Sequence, residues 1–492
     1  MPIGKKAASK FKGVPFHRDF NEPTTEARNE ALGSFPCQTR ASNSREQMLN
    51  KSAKKGQPSL QALAAAAEES SSDGVAVSST TMAMALSDLD EKRLFIPTPR
   101  SETSLATPQP IDELDWLAQI PEEGQTFDDY LRLLTTRTTG RINSLANAGG
   151  VDILLLPIIH SEHYPRSGKQ GDDNDDANSL DATQNAYSQW PEYGPSLEKL
   201  VEYTKVFFDR QVHILPAAQL YVSNPPKSNG GTKKKRKVAS SQPGAFAAAS
   251  KCKFKLFLPQ DDGRLSTPVN IAGRADISTG RIQLQVTSLL DELSRYRYSR
   301  HGSNEKDFCI MGITMEDLFD GPSDLFCAGM AFGGDKVAVF SFKRYHPLIK
   351  MHPLYWHQFG YAETSDGYSY YDDDDQDPKG LSTHPAVISQ KSQMESEFLR
   401  RSCKLLTHEL GHLYGIDHCI HNRCLMMGTG HLVEDFRAPT HLCGVCLRKL
   451  QWRTGFNVRM RYKLLTEVFT DMGLEKESKW TQKQYDRLNV LE

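Results

Sequence analysis

The feature that most constrains this chain is the segment Thr407–Leu450, which gathers histidines and cysteines. Its sequence reads THELGHLYGIDHCIHNRCLMMGTGHLVEDFRAPTHLCGVCLRKL. Imidazole nitrogens and thiolate sulfurs are the ligands that zinc prefers in proteins. A density of such side chains this high predicts that metal binding organises this part of the fold.

A helix is predicted over Glu395–Tyr414, because apolar residues recur there at steps of four and three. They are Leu399, Cys403, Leu406, Leu410 and Leu413. At about 100° per residue, His408 and His412 lie almost opposite this stripe and one turn apart. The two imidazoles can therefore reach one metal ion.

A third ligand is predicted just beyond the helix. Gly415 can take the positive φ of a sharp turn, after which His418 can return toward the pair. Three protein ligands leave one position for water, as in catalytic zinc sites, and Glu409 is placed to act as the general base. The alternative is an amphipathic helix with solvated histidines.

The cysteines predict a second, closed zinc site. Cys419, Cys424, Cys443 and Cys446 have the spacing C-x4-C and C-x2-C, which suits a structural four-thiolate site. The sequence thus predicts two Zn²⁺ per chain, one catalytic and one structural. Buried free thiols, or a redox pair at the C-x2-C, are the alternatives. The other cysteines are predicted to be tail or core thiols: Cys37, Cys252, Cys309, Cys327 and Cys403.

Three further histidines lie in the same segment but fit neither ligand set better than the residues named above. They are His421, His431 and His441. We expect none of them to bind zinc, and His431 is the one that could instead contact a substrate.

The extended motif resembles the archaemetzincins, a family of metzincin zinc metallopeptidases. The resemblance is carried by H-E-x-x-H-x-x-G-x-x-H from His408, the Cys directly after it, C-x-M at Cys424, and the distal C-x-x-C. It implies that Met426 is the Met-turn residue beneath the catalytic zinc, although the adjacent Met427 or a plain core role remains open. It also implies that Lys336–Phe342 is the edge strand of the substrate cleft.

The chain as a whole is predicted to be α/β, with a metzincin-like (zincin) catalytic domain of two subdomains that has a mixed sheet and an active-site helix. Strands are predicted at Val151–Ile159, Val212–Leu215, Phe308–Ile313 and Lys336–Phe342, and helices at Asp128–Leu134 and Leu284–Leu293. The domain is expected over residues 91–480, behind a disordered basic, Ser/Ala-rich arm at 1–90. Low-complexity insertions are expected at about 165–188, 223–250 and 361–392.

Charge and targeting signals bear on partners and location. The net charge of −2 argues against specific nucleic-acid or membrane binding. The basic N-terminus has no apolar stretch behind it, so an intracellular, cytoplasmic chain is expected. The run Lys233, Lys234, Lys235, Arg236 and Lys237 suits a nuclear import receptor, or is only a solvated loop.

Two functions from different classes remain. The first is a zinc metallopeptidase that hydrolyses peptide or protein substrates; the family resemblance leaves attack at the amino end as one option, and no residue separates an aminopeptidase from an endopeptidase. The alternative is a non-catalytic zinc-containing binding module. The presence of Glu409 and of the third histidine, His418, favours the enzyme.

Overall fold

The structure is a computed structural model. It describes residues 23–33, 95, 110, 115–135, 151–161, 182–224, 251–275, 282–301, 307–321, 326–347 and 385–489. The basic run at 233–237 and most of the three predicted insertions lie outside these residues. Each of the following statements concerns the described part of the chain.

The helices are α1 Thr25–Glu30, α2 Trp116–Gln119, α3 Phe127–Thr135, α4 Ala182–Gln189, α5 Leu197–Phe208, α6 Val286–His301, α7 Pro385–Leu413, α8 Leu432–Arg437, α9 Gly444–Thr454, α10 Val458–Asp471 and α11 Glu475–Asn489. The strands are β1 Asp152–His160, β2 Val212–Ile214, β3 Ala218–Asn224, β4 Lys251–Phe257, β5 Val269–Ala275, β6 Ile282–Gln285, β7 Asp307–Thr314, β8 Asp317–Phe319, β9 Gly329–Phe332 and β10 Val337–Ser341.

These strands form one mixed sheet in the order β8-β6-β5-β4-β3-β1-β7-β10-β9, and β2 also pairs with β1. The centre is parallel: β1 pairs in parallel with β2, β3 and β7, and β7 pairs in parallel with β10. The β3–β6 side and the β9 edge are antiparallel. The prediction of an α/β chain with a mixed sheet is therefore confirmed.

The central strand β1 shows why the sheet is covered on both faces. Successive side chains of a strand point to opposite faces. Ile153 and Leu155 join the core that also contains buried residues of α5, α7 and α9–α11, whereas Leu154 and Leu156 join the core that contains α6. An uninterrupted apolar run such as β1 is typical of a strand buried on both faces. The helix α7, which carries the candidate site, thus belongs to one face of the sheet.

The predicted strands at β1, β2, β7 and β10 and the predicted helix at α3 are confirmed. The prediction for Leu284–Leu293 is right for α6 but wrong at its start, since β6 runs to Gln285. The prediction that Lys336–Phe342 is an edge strand was wrong. β10 pairs with β7 on one side and with β9 on the other, so β9 is the edge. At four residues, β9 is too short to give a strand pattern.

Three expected low-complexity stretches contain ordered elements. Within the expected N-terminal arm, α1 leads to Ala31 and Leu32, which are buried in the core, and Phe127 N donates to Ala31 O at 2.8 Å. The expected insertions at 165–188 and 361–392 overlap α4 and the start of α7, and α11 extends past residue 480. A short apolar pair such as Ala31-Leu32 is outweighed in the sequence by its polar surroundings, so the bounds predicted for the arm and the insertions do not set these ordered elements apart.

The C-terminal end of α7 is held by the sheet. All five stripe residues predicted from the sequence are buried. Lys336, which is buried beside β10 and has a positive φ of 58°, donates from Nζ to Leu413 O. A cation at a helix C-terminus satisfies a free carbonyl and interacts favourably with the helix dipole. Gly415 takes φ 86°, as predicted, and so turns the chain back across the end of the helix.

No helix among the described residues combines the length and the hydropathy that crossing a bilayer requires.

Candidate metal centres

Three histidines converge on one point at the end of α7. His408 and His412 lie on one face of the helix with their Nε2 atoms 3.1 Å apart, and His418 follows from the loop after Gly415. The candidate ligand nitrogens of the three all lie within 4.8 Å of one another. Two nitrogens on one tetrahedral zinc ion lie about 3.4 Å apart. The structure therefore brings together the three predicted histidines in an arrangement that a shared metal fits.

Backbone carbonyls orient the two helical imidazoles. His408 Nδ1 lies 2.9 Å from Leu425 O, and His412 Nδ1 lies 2.8 Å from Ile416 O. Because a carbonyl oxygen only accepts, each Nδ1 must carry the proton, and each Nε2 keeps its lone pair. Such contacts behind the ligand fix the tautomer that binds metal.

A carboxylate from a distant segment orients the third imidazole. His418 Nδ1 lies 2.7 Å from Glu122 Oε1, which also accepts from Trp116 Nε1 at 2.6 Å. The indole packs edge-to-face on the His418 ring, 5.4 Å between centroids. His418 Nε2 is buried and has no hydrogen-bond partner. A buried imidazole nitrogen with its lone pair free is what a metal ligand requires.

Sequence reasoning missed Glu122 and Trp116. Glu122 precedes His418 by 296 residues, and nothing in its neighbourhood resembles a ligand motif. The acidic pair Glu122-Glu123 looks like ordinary solvated loop, so no local signal could have identified it.

The site favours neutral imidazoles. Burial, together with the neighbouring His412 and His418, holds the pKa of His408 well below its usual range. Burial likewise lowers the pKa of His412 to about 3, with a further contribution from His418. Metal binding requires the deprotonated imidazole, so the helical pair is in its binding form at neutral pH.

Glu409 lies beside the histidines and is 6% exposed. Burial raises the pKa of its carboxyl to about 7, although the nearby His418 opposes this rise. It lines a small cavity together with His408, Tyr345 and Asp435. A carboxyl group with a pKa near neutrality can both accept and return a proton at physiological pH.

Met426 packs against α7 at Gly411, which lies between His408 and His412 in the sequence. Its side chain is fully buried, and an added Cβ at Gly411 would come 2.5 Å from Met426 Sδ. Gly411 therefore permits the close approach of the methionine to the helix between His408 and His412. Met427, by contrast, is only partly buried. Met426 therefore fits the role of the predicted Met-turn residue better than Met427 does.

Four cysteines form a second, separate cluster. The sulfurs of Cys419, Cys424, Cys443 and Cys446 all lie within 4.8 Å of one another, and the Cys419 and Cys443 sulfurs are 3.6 Å apart. All four are free thiols, at most 3% exposed. Sulfurs that share a tetrahedral zinc lie about 3.8 Å apart. The four predicted cysteines thus converge in a geometry that a closed zinc site fits.

Without a cation, the electrostatics of this cluster favour one thiolate. Hydrogen bonds from Cys424, Cys443 and Cys446 hold the pKa of the Cys419 thiol well below its usual range. Burial and the neighbouring thiols hold the pKa of Cys424 and of Cys446 well above it. Cys424 Sγ accepts from the backbone N–H groups of Met426 and Cys443, at 3.5 and 3.2 Å. Thiols packed together this way lose their protons when a cation replaces them.

The remaining histidines of the segment contact other groups. His431 caps α8: its Nδ1 accepts from Glu434 N at 3.3 Å, and its Nε2 lies 2.9 Å from Asp115 Oδ1. His421 Nε2 contacts Gln125 O at 3.3 Å, and the ring of His441 stacks on Trp480. His431 also lines the cavity beside Glu409, and its contact with a substrate stays a prediction.

Asp115, His431 and Glu434 form a third group dense enough to hold a cation. The group already has partners, however: Arg437 donates to Asp115 at 2.7 Å, and Trp116 N and Gly430 N donate to Glu434. Burial raises the pKa of Glu434 to about 8, which favours its neutral form. These contacts fasten the 115–125 segment to α8, so this group is a structural network.

Comparisons with known proteins match this part of the chain. The sequence model described as Peptidase family M54 matches residues 386–452. Archaemetzincin-2 from Homo sapiens is 35% identical over 199 residues, which are 40% of this chain and 49% of that protein. Archaemetzincin-1 from Rattus norvegicus is 28% identical over 216 residues, which are 43% of this chain and 40% of that protein. The chain thus spans about half the length of the curated relatives it matches.

Among solved structures, an archaemetzincin from Methanopyrus kandleri is similar, with 17% identity over 62% of this chain and 96% of that one, at a TM-score of 0.28. A TM-score this low carries no argument about the fold, which rests on the strand order described above. The M54 match spans α7 from its second residue and all seven predicted metal ligands. The resemblance predicted from the motif is therefore confirmed: through residues 386–452 this chain is similar to Peptidase family M54 and to the archaemetzincins.

Proposed function

We propose that the chain is a zinc metallopeptidase, with a catalytic ion held by His408, His412 and His418 and a structural ion held by the four cysteines. The observation that carries the proposal is the convergence of the three imidazoles on one point, with His418 Nε2 buried and otherwise unpartnered. Three neutral ligands leave a position for water, and Glu409 lies alongside. A module that only binds zinc has no need of a general base, so the carboxylate of Glu409 favours the peptidase.

The proposed reaction is hydrolysis of a peptide bond. Zinc at the histidine centre would lower the pKa of a bound water and polarise the scissile carbonyl. Glu409 takes a proton from the attacking water and returns it to the leaving amine. Burial of Glu409 keeps its pKa about 7, so one carboxyl can perform both transfers near neutral pH.

Substrate binding is proposed along β9. This strand is the sheet edge, and an added Cβ at Gly333, directly after it, would lie 3.4 Å from His412 O. The cavity beside Glu409 is walled by Phe326 and Ala328, which precede the same strand. An extended peptide can pair with a free edge through its main chain, which sets the register without selecting side chains.

Cleavage at the amino end of a peptide is the finer part of the proposal. Asp435 lines the same cavity; its Oδ1 pairs with Lys404 at 3.0 Å, whereas its Oδ2 is buried with no hydrogen-bond partner. A carboxylate oxygen in that position can accept a hydrogen bond from a substrate ammonium. Location in the cytoplasm, and nuclear entry through residues 233–237, stay predictions from the sequence alone.

The test joins metal content to hydrolysis. Zinc per chain is measured for the wild type and for His412→Ala, and a peptide mixture with free and with acetylated amino ends is incubated with the wild type and with Glu409→Gln. We expect two zinc ions falling to one in His412→Ala. We expect Glu409→Gln to keep both ions but to lose about 10²- to 10⁴-fold in rate.

The outcomes separate the alternatives. One zinc ion in both wild type and His412→Ala would leave the histidine centre without metal, and the non-catalytic zinc module would then replace the peptidase. Full hydrolysis by Glu409→Gln would remove the assigned base. Equal cleavage of free and acetylated peptides would overturn the amino-end specificity alone.

A further inference from the structure

A second cavity, of about 250 Å³, lies where α7, α10 and α11 meet the loop that follows α8. It shares no lining residue with the cavity beside Glu409. Arg400 of α7, Arg461 of α10 and Trp480 of α11 contribute to its walls. Neither proposed zinc centre uses any of these three residues.

Three lining side chains carry buried polar atoms with no hydrogen-bond partner: Arg461 Nη2, Trp480 Nε1 and His441 Nε2. Arg461 is 5% exposed, and its Nε donates to Phe207 O at 2.8 Å, which leaves Nη2 unused. Buried donors are normally paired, so unpaired ones call for a missing partner. Arg461 Nη2 and Trp480 Nε1 can only donate, so two unpaired donors at one cavity point to a ligand with acceptor atoms.

The lining of the cavity carries more positive than negative charge. The cationic side chains are Arg400, Arg423, Arg437, Arg461 and Lys476, and the carboxylate is Glu477. Arg400 and Arg437 are already paired, with Glu397 and with Asp115.

Arg423 and Arg461 donate to the backbone oxygens of Arg437 and Phe207, and no carboxylate of the described residues pairs with either. Burial lowers the pKa of Arg461 only to about 10, so the guanidinium remains charged at neutral pH. A buried charge without an opposite charge is unfavourable until an anion joins it.

Two stacked rings form a flat wall of the cavity. The His441 ring stacks on Trp480 with centroids 3.8 Å apart and an interplanar angle of 18°. Trp480 also packs edge-to-face on Tyr462. The volume suits a small molecule.

We propose that this cavity binds a small anion through a carboxylate or phosphate group, whose oxygens accept hydrogen bonds from Arg461 and Trp480 and face Arg423. A planar guanidinium beside an indole N–H is well suited to such a group, because it donates from a fixed fork while the indole supplies a second direction. The site is independent of the proposed peptidase activity.

The experiment follows the indole N–H resonance of Trp480, assigned with Trp480→Phe, in the zinc-loaded full chain. Inorganic phosphate and succinate are titrated separately against sodium chloride of matched ionic strength. We expect a saturable shift of this resonance with at least one of the two anions and none with chloride, and the anion that saturates identifies the group. In Arg461→Gln the affinity should fall at least tenfold.

The matched control is Arg459→Gln, because Arg459 lies on the same helix but does not line the cavity. It should bind as the wild type does, so a loss confined to Arg461→Gln assigns the shift to this cavity. If Arg461→Gln does not fold, Arg423→Gln decides in its place. Absence of a saturable shift with both anions, or wild-type affinity in the folded variant, would overturn the proposal.

Discussion

The two candidate metal centres adjoin in the loop that follows α7, yet they are built in opposite ways. His418 and Cys419 are neighbours in the sequence, but one belongs to the open histidine centre and the other to the closed cysteine centre. In the histidine centre, the carboxylate that orients His418 belongs to Glu122, which precedes it by 296 residues. The cysteine centre takes its ligands and its N–H donors from residues 419–446.

This difference in construction follows from the role of each kind of site. A closed site contributes to folding, so its ligands can come from one short stretch whose own backbone completes the arrangement. An open site must leave room for a substrate, so its walls and its orienting groups come from other parts of the fold. The 115–125 segment supplies an orienting group here, and Phe326 and Ala328, which precede β9, supply part of the wall.

Removal of one ligand from each centre should give the largest contrast. Structural zinc sites contribute on the order of 10 kcal/mol, which is comparable with the whole stability of a domain. Cys446→Ser should therefore unfold the region around α9, whose buried side chains belong to the main core. His412→Ala should change the free energy of unfolding by less than about 2 kcal/mol. Urea unfolding, with zinc content measured in parallel, checks both values.

Cys403→Ser is the control for the loss of a buried thiol without a role in metal binding, because Cys403 is buried on α7 outside the cluster. It should cost far less than Cys446→Ser. If the two cysteine variants are destabilised equally, the cysteine centre holds no structural metal, and the contrast with the histidine centre disappears.

The same contrast explains what the sequence could predict. The convergence of both candidate ligand sets was predictable, because helix periodicity and short spacings place His408, His412 and the cysteine pairs locally. Glu122, Trp116 and β9 were not, since each is brought to the site by long-range packing that one sequence does not encode in any local pattern. The core strand β1 was predictable from its continuous apolar run, whereas the true edge of the sheet was not.

Removal of Glu122 tests whether the histidine centre depends on its distant partner. Loss of a carboxylate that orients a ligand imidazole typically costs 10- to 100-fold in metal affinity or activity. Glu122→Ala should lower the zinc affinity of the histidine centre by about that factor in competition with a chelator, and the zinc at the cysteine centre should be unaffected. Glu122→Gln, which retains an oxygen acceptor for His418 Nδ1, should recover part of the loss.

The neighbouring Glu123 provides the control, because its side chain is exposed and not part of the contact. Glu123→Ala should bind both ions like the wild type. Equal losses in the two alanine variants would show that the segment acts only through its general charge.

The smallest expected effect concerns Glu397 on α7, the helix that carries two ligands of the histidine centre and none of the cysteine centre. Burial alone would raise the pKa of Glu397, but hydrogen bonds and charge from Arg400 and Arg401 outweigh it and lower the pKa to about 2. A carboxyl with a depressed pKa contributes stability above its unfolded value of 4.5 and loses it as pH falls toward 2. Since the side chain is 22% exposed, we expect Glu397→Gln to cost about 2 kcal/mol at pH 7.

This difference from the wild type should shrink steadily in urea unfolding between pH 4.5 and 3, and it is insensitive to acid release of zinc because both proteins lose metal alike. Glu475→Gln, on the exposed Lys479 pair of α11, should stay within about 0.5 kcal/mol of the wild type at every pH. A penalty for Glu397→Gln that stays constant down to pH 3 would mean that neutral packing, and not the carboxylate charge, holds α7 at this point. Protonation of Glu397 would then not loosen α7, and this helix would make the histidine centre no more sensitive to acid than the cysteine centre.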